Sequence, residues 1–150
     1  MKISSPVFDH LGNIPPKHTC NGTNINPPLS ISDVPRNSVT LVLIMDDPDV
    51  PRDLRLDGMW DHWIVFDIPT NMQEIDEGSE PEGVHGIGTA NNLDYCGPCP
   101  PNGQHRYFFK LYALDCTLDL AEGVSKGDVE KAMEDHIIEK VELIGVYEQK

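Results

Sequence analysis

Three apolar runs, Val39–Met45, Trp63–Ile68 and Arg106–Leu114, constrain this chain more than anything else in it. Val39–Met45 is β-branched and aliphatic, flanked by Asn37-Ser38 and Asp46-Asp47-Pro48, which is the pattern of a strand buried on both faces. Trp63–Ile68 repeats that pattern, and Arg106–Leu114 is a longer, aromatic-rich version ended by Asp115. The 13 prolines and 12 glycines lie between these runs, where they break regular structure and supply turns. A mainly β, loop-rich fold with these three runs in a central sheet is expected.

The remaining segments fit that sheet. Turn signals crowd Asn13–Lys17, Asn21–Pro28 and Asp33–Asn37, so the first third should hold only short strands. One helix has good signals: Ser125 can N-cap it, Asp128 can complete a capping box, and Val129, Ala132, Met133 and His136 or Ile137 recur at helical spacing. It should end near His136. Val141–Tyr147 partly alternates and should return as a closing strand, while the acidic stretch Glu74–Glu82 reads as a solvated loop. At 150 residues the chain fits one domain, residues 1–150.

Eleven basic against 25 acidic residues give a formal charge of -14, which repels nucleic-acid phosphates and anionic membranes. No segment approaches the roughly 20 apolar residues that span a bilayer, and Met1–Pro6 lacks the apolar core of a signal peptide. A cytoplasmic protein is the expectation. Cys20, Cys96, Cys99 and Cys116 are too few for a disulfide scaffold and read as reduced thiols.

Candidate chemistry gathers at strand ends. Asp46-Asp47-Pro48-Asp49-Val50-Pro51 follows a buried strand directly, where carboxylates on a rigid turn either cap it or build a site. His62 opens the second run, and by alternation its imidazole should share a face with Ile64 and Phe66. His105 opens the third on the face of Tyr107 and Phe109. Two imidazoles and a phenol at neighbouring strand ends suit a small anion.

Cys96-Gly97-Pro98-Cys99 has the thioredoxin redox pattern, but Pro100-Pro101 after it is hostile to the helix that pattern needs. A zinc site would want two further ligands at matching spacing, and Cys20, Cys116 or a histidine would complete one only through an accident of folding. No metal and no cofactor is expected. Nucleophile-elbow and phosphate-loop patterns are absent, so a non-enzymatic binding role comes first, with the histidines as acid and base of a small-molecule hydrolase as an alternative.

The Asp47-Pro48-Asp49-Val50-Pro51 segment, His62-Trp63, Gly97-Pro98-Cys99-Pro100-Pro101 running to His105-Arg106-Tyr107, and Leu111–Asp115 together resemble the phosphatidylethanolamine-binding proteins. Thr19-Cys20-Asn21-Gly22 and Asn26-Pro27-Pro28-Leu29 extend the likeness over nearly the whole chain, and the prokaryotic, Raf kinase inhibitor-like branch is the nearer match. The resemblance implies a Greek-key sandwich of antiparallel sheets with a few short peripheral helices. It also implies a pocket for phosphate-like anions or phospholipid head groups, lined by Asp47, His62, His105 and Tyr107, with Pro51 and Trp60 near the rim.

The sequence departs from that pattern in three places. Cys99 stands in the pocket loop where eukaryotic relatives have glycine, Arg52–Met59 is a longer loop than many prokaryotic relatives carry, and the mammalian C-terminal helix has no counterpart before Lys150. As partners, the resemblance implies a phosphorylated small molecule, a regulated kinase or protease reached through surface loops, and a second copy of the chain. Anion affinity is expected to weaken as pH rises through the histidine titrations.

Overall fold

A computed structural model describes residues 1–149. Among the described residues, eight strands make two antiparallel sheets. The smaller sheet is ordered β1–β2–β5, from Lys2–Ser4, Leu29–Ser32 and Glu74–Ile75. The larger is ordered β6–β4–β3–β7–β8, from Val84–His85, Trp60–Ile68, Thr40–Asp47, His105–Leu114 and Ile137–Tyr147. Strand β7 enters beside β3 rather than beside its sequence predecessor β6, the crossover of a Greek key.

Period-two alternation divides the larger sheet into two apolar faces. Leu41, Leu43 and Met45 of β3, with Tyr107, Phe109 and Leu111 of β7, face Ile3, Leu29, Ile31 and Ile75 of the smaller sheet and form the sandwich core. Val42 and Ile44 point the other way, joining Ile64, Phe66, Tyr112 and Leu114 under Val129 and Met133 of α1, Lys126–Met133. Both faces of β3 are therefore covered, which is why its run lacks polar alternation. Each such buried aliphatic or aromatic side chain contributes about 1.5–3 kcal/mol.

The helix carries its capping box: Ser125 Oγ accepts from Asp128 N, and the Asp128 carboxylate accepts from Ser125 N. It stops at Met133, short of His136, because Asp135 adopts φ 66° and turns the chain into β8. That strand starts at Ile137, four residues before Val141. Val39 stays outside β3 and is half exposed. The Glu74–Glu82 segment is also less solvated than its charge suggests, since Ile75 is buried in β5 and Glu80 accepts hydrogen bonds from Trp63 Nε1 and Tyr95 N.

Among the described residues no helix is long and apolar enough to cross a membrane. Cys20 and Cys99 form a disulfide, which corrects the reading of four reduced thiols. Counting cysteines missed that the turns around 20 and 98 run against each other, with Cys20 N donating to Pro98 O at 3.1 Å. Cys96 and Cys116 remain free thiols.

Candidate functional site

The end of β3 sends successive carboxylates to opposite faces. Asp46 turns toward α1 and is buried against Lys110 Nζ at 2.9 Å and Lys126 Nζ at 3.1 Å, with Lys126 also 2.8 Å from Asp61 Oδ1. Asp47 turns the other way. Its Oδ1 accepts from Asp49 N at 2.7 Å, closing the proline turn, and its Oδ2 accepts from His105 Nδ1–H at 2.7 Å. Asp49 in turn takes the backbone N–H, Nε and Nη2 of Arg106, so the first two residues of β7 clasp the turn that follows β3. That guanidinium holds the Asp49 carboxyl below its ordinary range.

His62 reaches the same side by an irregularity in β4. Met45 pairs with Trp63 but Asp46 pairs with Asp61, so His62 is an extra residue at a β-bulge. The bulge turns His62 away from Ile64 and Phe66, which pack on the helix face, and overturns the face expected from strict alternation. The His62 and Tyr107 rings meet edge to face with centroids 5.3 Å apart.

These side chains border a cavity of about 300 Å³, walled by Asp47, Val50, Leu54, Trp60, His62, Ala90, Cys96, Gly97, Cys99, Pro100, Pro101 and Tyr107. The loop from Gly97 to Pro101 is pinned from outside. Gly97 N donates to Asn24 Oδ1 at 2.8 Å, Gln149 Nε2 donates to Pro100 O at 2.7 Å, and Cys99 is bonded to Cys20. Gly97 must be glycine for this approach, because a Cβ there would strike the carbonyl oxygen of His18. Arg55 lies over the Trp60 ring at 5.7 Å, which ties the Arg52–Met59 loop to the rim and brings Leu54 to the wall.

The polar groups facing this space are not all satisfied. Tyr107 Oη is buried and has no hydrogen-bond partner among the described residues. Burial also pushes its hydroxyl far above the ordinary phenol range, so it stays a donor. The His62 imidazole donates Nδ1–H to Cys96 O at 2.7 Å, leaving Nε2 as the ring's other polar atom. Burial lowers its pKa against the opposing pull of that carbonyl and of Asp47, Asp46 and Asp61. Neutral His62 therefore presents a lone pair at neutral pH rather than a charge, contrary to an imidazolium grip at this residue. Burial pushes the Cys96 thiol up, so it is not an activated nucleophile.

Of the residues singled out in the sequence, Asp47, Trp60, His62, Cys99 and Tyr107 come together on the cavity wall. Pro51 and His105 do not. His105 stands behind Asp47, stacked on Tyr107 at 6.5 Å between centroids, and Val50 and Leu54 occupy the wall near Pro51. Sequence reasoning missed Val50, Leu54, Ala90, Cys96, Gly97, Pro100 and Pro101 as wall residues. Most lie inside the two proline-rich segments and were open to discovery there; Ala90 carries no signal.

The family model described as phosphatidylethanolamine-binding protein matches residues 4–148. A UPF0098 protein of Chlamydia trachomatis is 47% identical over 149 residues, covering 99% of each chain, and one from Methanothermobacter thermautotrophicus is 46% identical with 98% of each covered. Among solved structures, a putative phosphatidylethanolamine-binding protein homologue from Chlamydia trachomatis superposes with a TM-score of 0.96 at 47% identity, covering 99% of this chain and 97% of that one. E. coli YbcL superposes with a TM-score of 0.89 at 25% identity, covering 99% and 98%.

Proposed function

The chain belongs to the phosphatidylethanolamine-binding protein family, and from that premise we propose that its cavity binds a small phosphate-like oxyanion or the phosphorylated head group of a larger molecule. The observation that carries this reading is the unpartnered, buried Tyr107 hydroxyl on the cavity wall. Leaving such a group unsatisfied costs about 1–3 kcal/mol, which a ligand oxygen accepting from it would recover.

Neutral His62 refines the ligand. With Nδ1–H committed to Cys96 O, its Nε2 can only accept, so the bound oxyanion brings a proton of its own to that nitrogen while another oxygen takes the Tyr107 donor. A monoprotonated phosphate group has both. The mostly apolar remainder of the wall, Val50, Leu54, Trp60 and the two prolines, suits the organic part of a phosphomonoester.

Titrating phosphate and phosphoethanolamine while recording the histidine ring protons and the Tyr107 ring by NMR tests this reading. Saturable shifts at His62 and Tyr107 that vanish in Tyr107→Phe support it; unchanged spectra up to millimolar ligand overturn it.

A second reading, inhibition of a kinase or protease through surface loops, is favoured by Leu54 and Leu56, which are 61% and 90% exposed on the Arg52–Met59 loop. Shortening that loop would then abolish inhibition of the target while His105→Ala spares it.

A further inference from the structure

At the opposite end of β7 from the cavity, Asp115 and Cys116 leave the strand beside His136, the residue that precedes β8. A carboxylate oxygen of Asp115, the sulfur of Cys116 and a ring nitrogen of His136 all lie within 4.8 Å of one another. We propose that these three side chains form a binding site for a zinc-like divalent transition metal.

Backbone geometry sets up the convergence. Asp115 N donates to His136 O at 3.0 Å and His136 N to Met133 O at 2.9 Å, fixing the two chain segments side by side. Thr40 Oγ1 donates to Cys116 O at 2.6 Å, and Asp67 takes the N–H groups of Leu118 and Asp119 at 2.8 and 3.2 Å, so the residues after the strand are anchored as well. The three donors are thus presented by backbone that folding has already ordered, which lowers the entropy cost of ligation.

Charge and donor chemistry point to the same class of ion. Asp115 and Asp67 both lie near Cys116, and the negative field of these carboxylates attracts a dication. One thiolate, one imidazole and one carboxylate are borderline-soft donors that suit zinc or cobalt rather than magnesium or calcium, and three protein ligands leave one position for water.

On binding, metal–sulfur, metal–nitrogen and metal–oxygen bonds form. The Cys116 proton passes to solvent, and with Nδ1 as the ring ligand the proton now donated to Asp115 Oδ1, 2.8 Å away, is carried on Nε2 instead. No electrons change hands.

Another grouping, Glu80, His85 and Asp94, has two of its three residues already committed. Glu80 Oε1 and Oε2 accept from Trp63 Nε1 and Tyr95 N, and His85 Nδ1–H donates to Leu93 O. Binding there would disturb several hydrogen bonds, two of them part-buried, whereas the pair at Asp115 and His136 is half exposed and gives up one.

Cobalt(II) titration of the Cys96→Ser protein, with Cys20–Cys99 kept oxidised, reads the site directly because Cys116 is then the one free thiol. The expected result is a near-ultraviolet thiolate-to-cobalt charge-transfer band that saturates at one equivalent and is displaced by zinc. Cys116→Ser should remove the band. His136→Ala and Asp115→Asn should each weaken binding by about tenfold or more, and His85→Ala should leave it unchanged. Metal-free thermal melts show that each variant is folded. A charge-transfer band absent up to millimolar cobalt, or affinity unchanged in Cys116→Ser, overturns the proposal.

Discussion

His105 Nδ1 and Asp47 Oδ2 meet at 2.7 Å across 58 residues of sequence, and both side chains are only 4% exposed. This bond joins the start of β7 to the end of β3 and sets the orientation of the one carboxylate on the cavity wall. His105→Ala leaves that buried oxygen without its donor. Stability to urea should fall by about 1–3 kcal/mol, and ligand affinity should fall with it because Asp47 is free to turn. Asp47→Ala should cost a similar amount, and the double variant should cost less than the sum of the two, the signature of a direct pair.

The depressed pKa of His62 makes stability depend on pH in a definite sense. Unfolding restores this residue to a reference pKa of about 6.5, so below that pH the unfolded chain binds a proton that the native imidazole resists until its own lower pKa is reached. The His62 contribution to stability is therefore present above about pH 6.5 and lost as pH falls through the window beneath it. Urea midpoints should decline on acidification from pH 7. His62→Asn, whose amide can still donate to Cys96 O, should flatten that part of the profile; an unchanged slope would mean that His62 is not the titrating group.

How much of this was legible in the sequence differs between residues for physical reasons. The three apolar runs announce the central strands because full burial removes polar alternation, and the Ser125–Asp128 capping box depends only on local spacing. Asp47 and Tyr107 were open to a reader because they flank rigid proline turns. The facing of His62 was not, since it turns on one residue of register slip between β3 and β4 that no local pattern announces. The family resemblance implies His105 on the wall, yet its ring is spent on Asp47. The Cys20–Cys99 bond and the convergence of Asp115, Cys116 and His136 were hidden for one reason: each joins segments far apart in sequence that only the finished sheet brings together.

A neutral acceptor at His62 beside a donor at Tyr107 should discriminate between oxyanions of equal size. Phosphate at pH 6–7 carries a proton for His62 Nε2, while sulfate carries none and would set a lone pair against a lone pair. Calorimetry should find phosphate binding at least about tenfold tighter than sulfate, the difference expected from one buried hydrogen bond. Affinity for a phosphomonoester should also weaken above about pH 6, where its second proton is lost. Equal affinity for the two anions would return the binding role to an imidazolium.

Cys20–Cys99 closes a loop with a sequence separation of 79 and staples the cavity wall to the turn at Thr19–Asn21. Constraining a loop of that size in the unfolded chain contributes about 2–4 kcal/mol. At roughly 2–4 °C per kcal/mol for a domain of this length, the double variant Cys20→Ala, Cys99→Ala should melt roughly 5–15 °C lower than the oxidised protein. The same drop should follow addition of reductant to the parent and be absent when reductant is added to the double variant. The fold itself should persist, because Cys20 N, Asn24 Oδ1 and Gln149 Nε2 still hold the loop at Pro98, Gly97 and Pro100. Phosphate affinity should therefore fall by less than it does in Tyr107→Phe, which removes the ligand's donor itself. A melting temperature indifferent to reductant would show that the bond contributes nothing to stability.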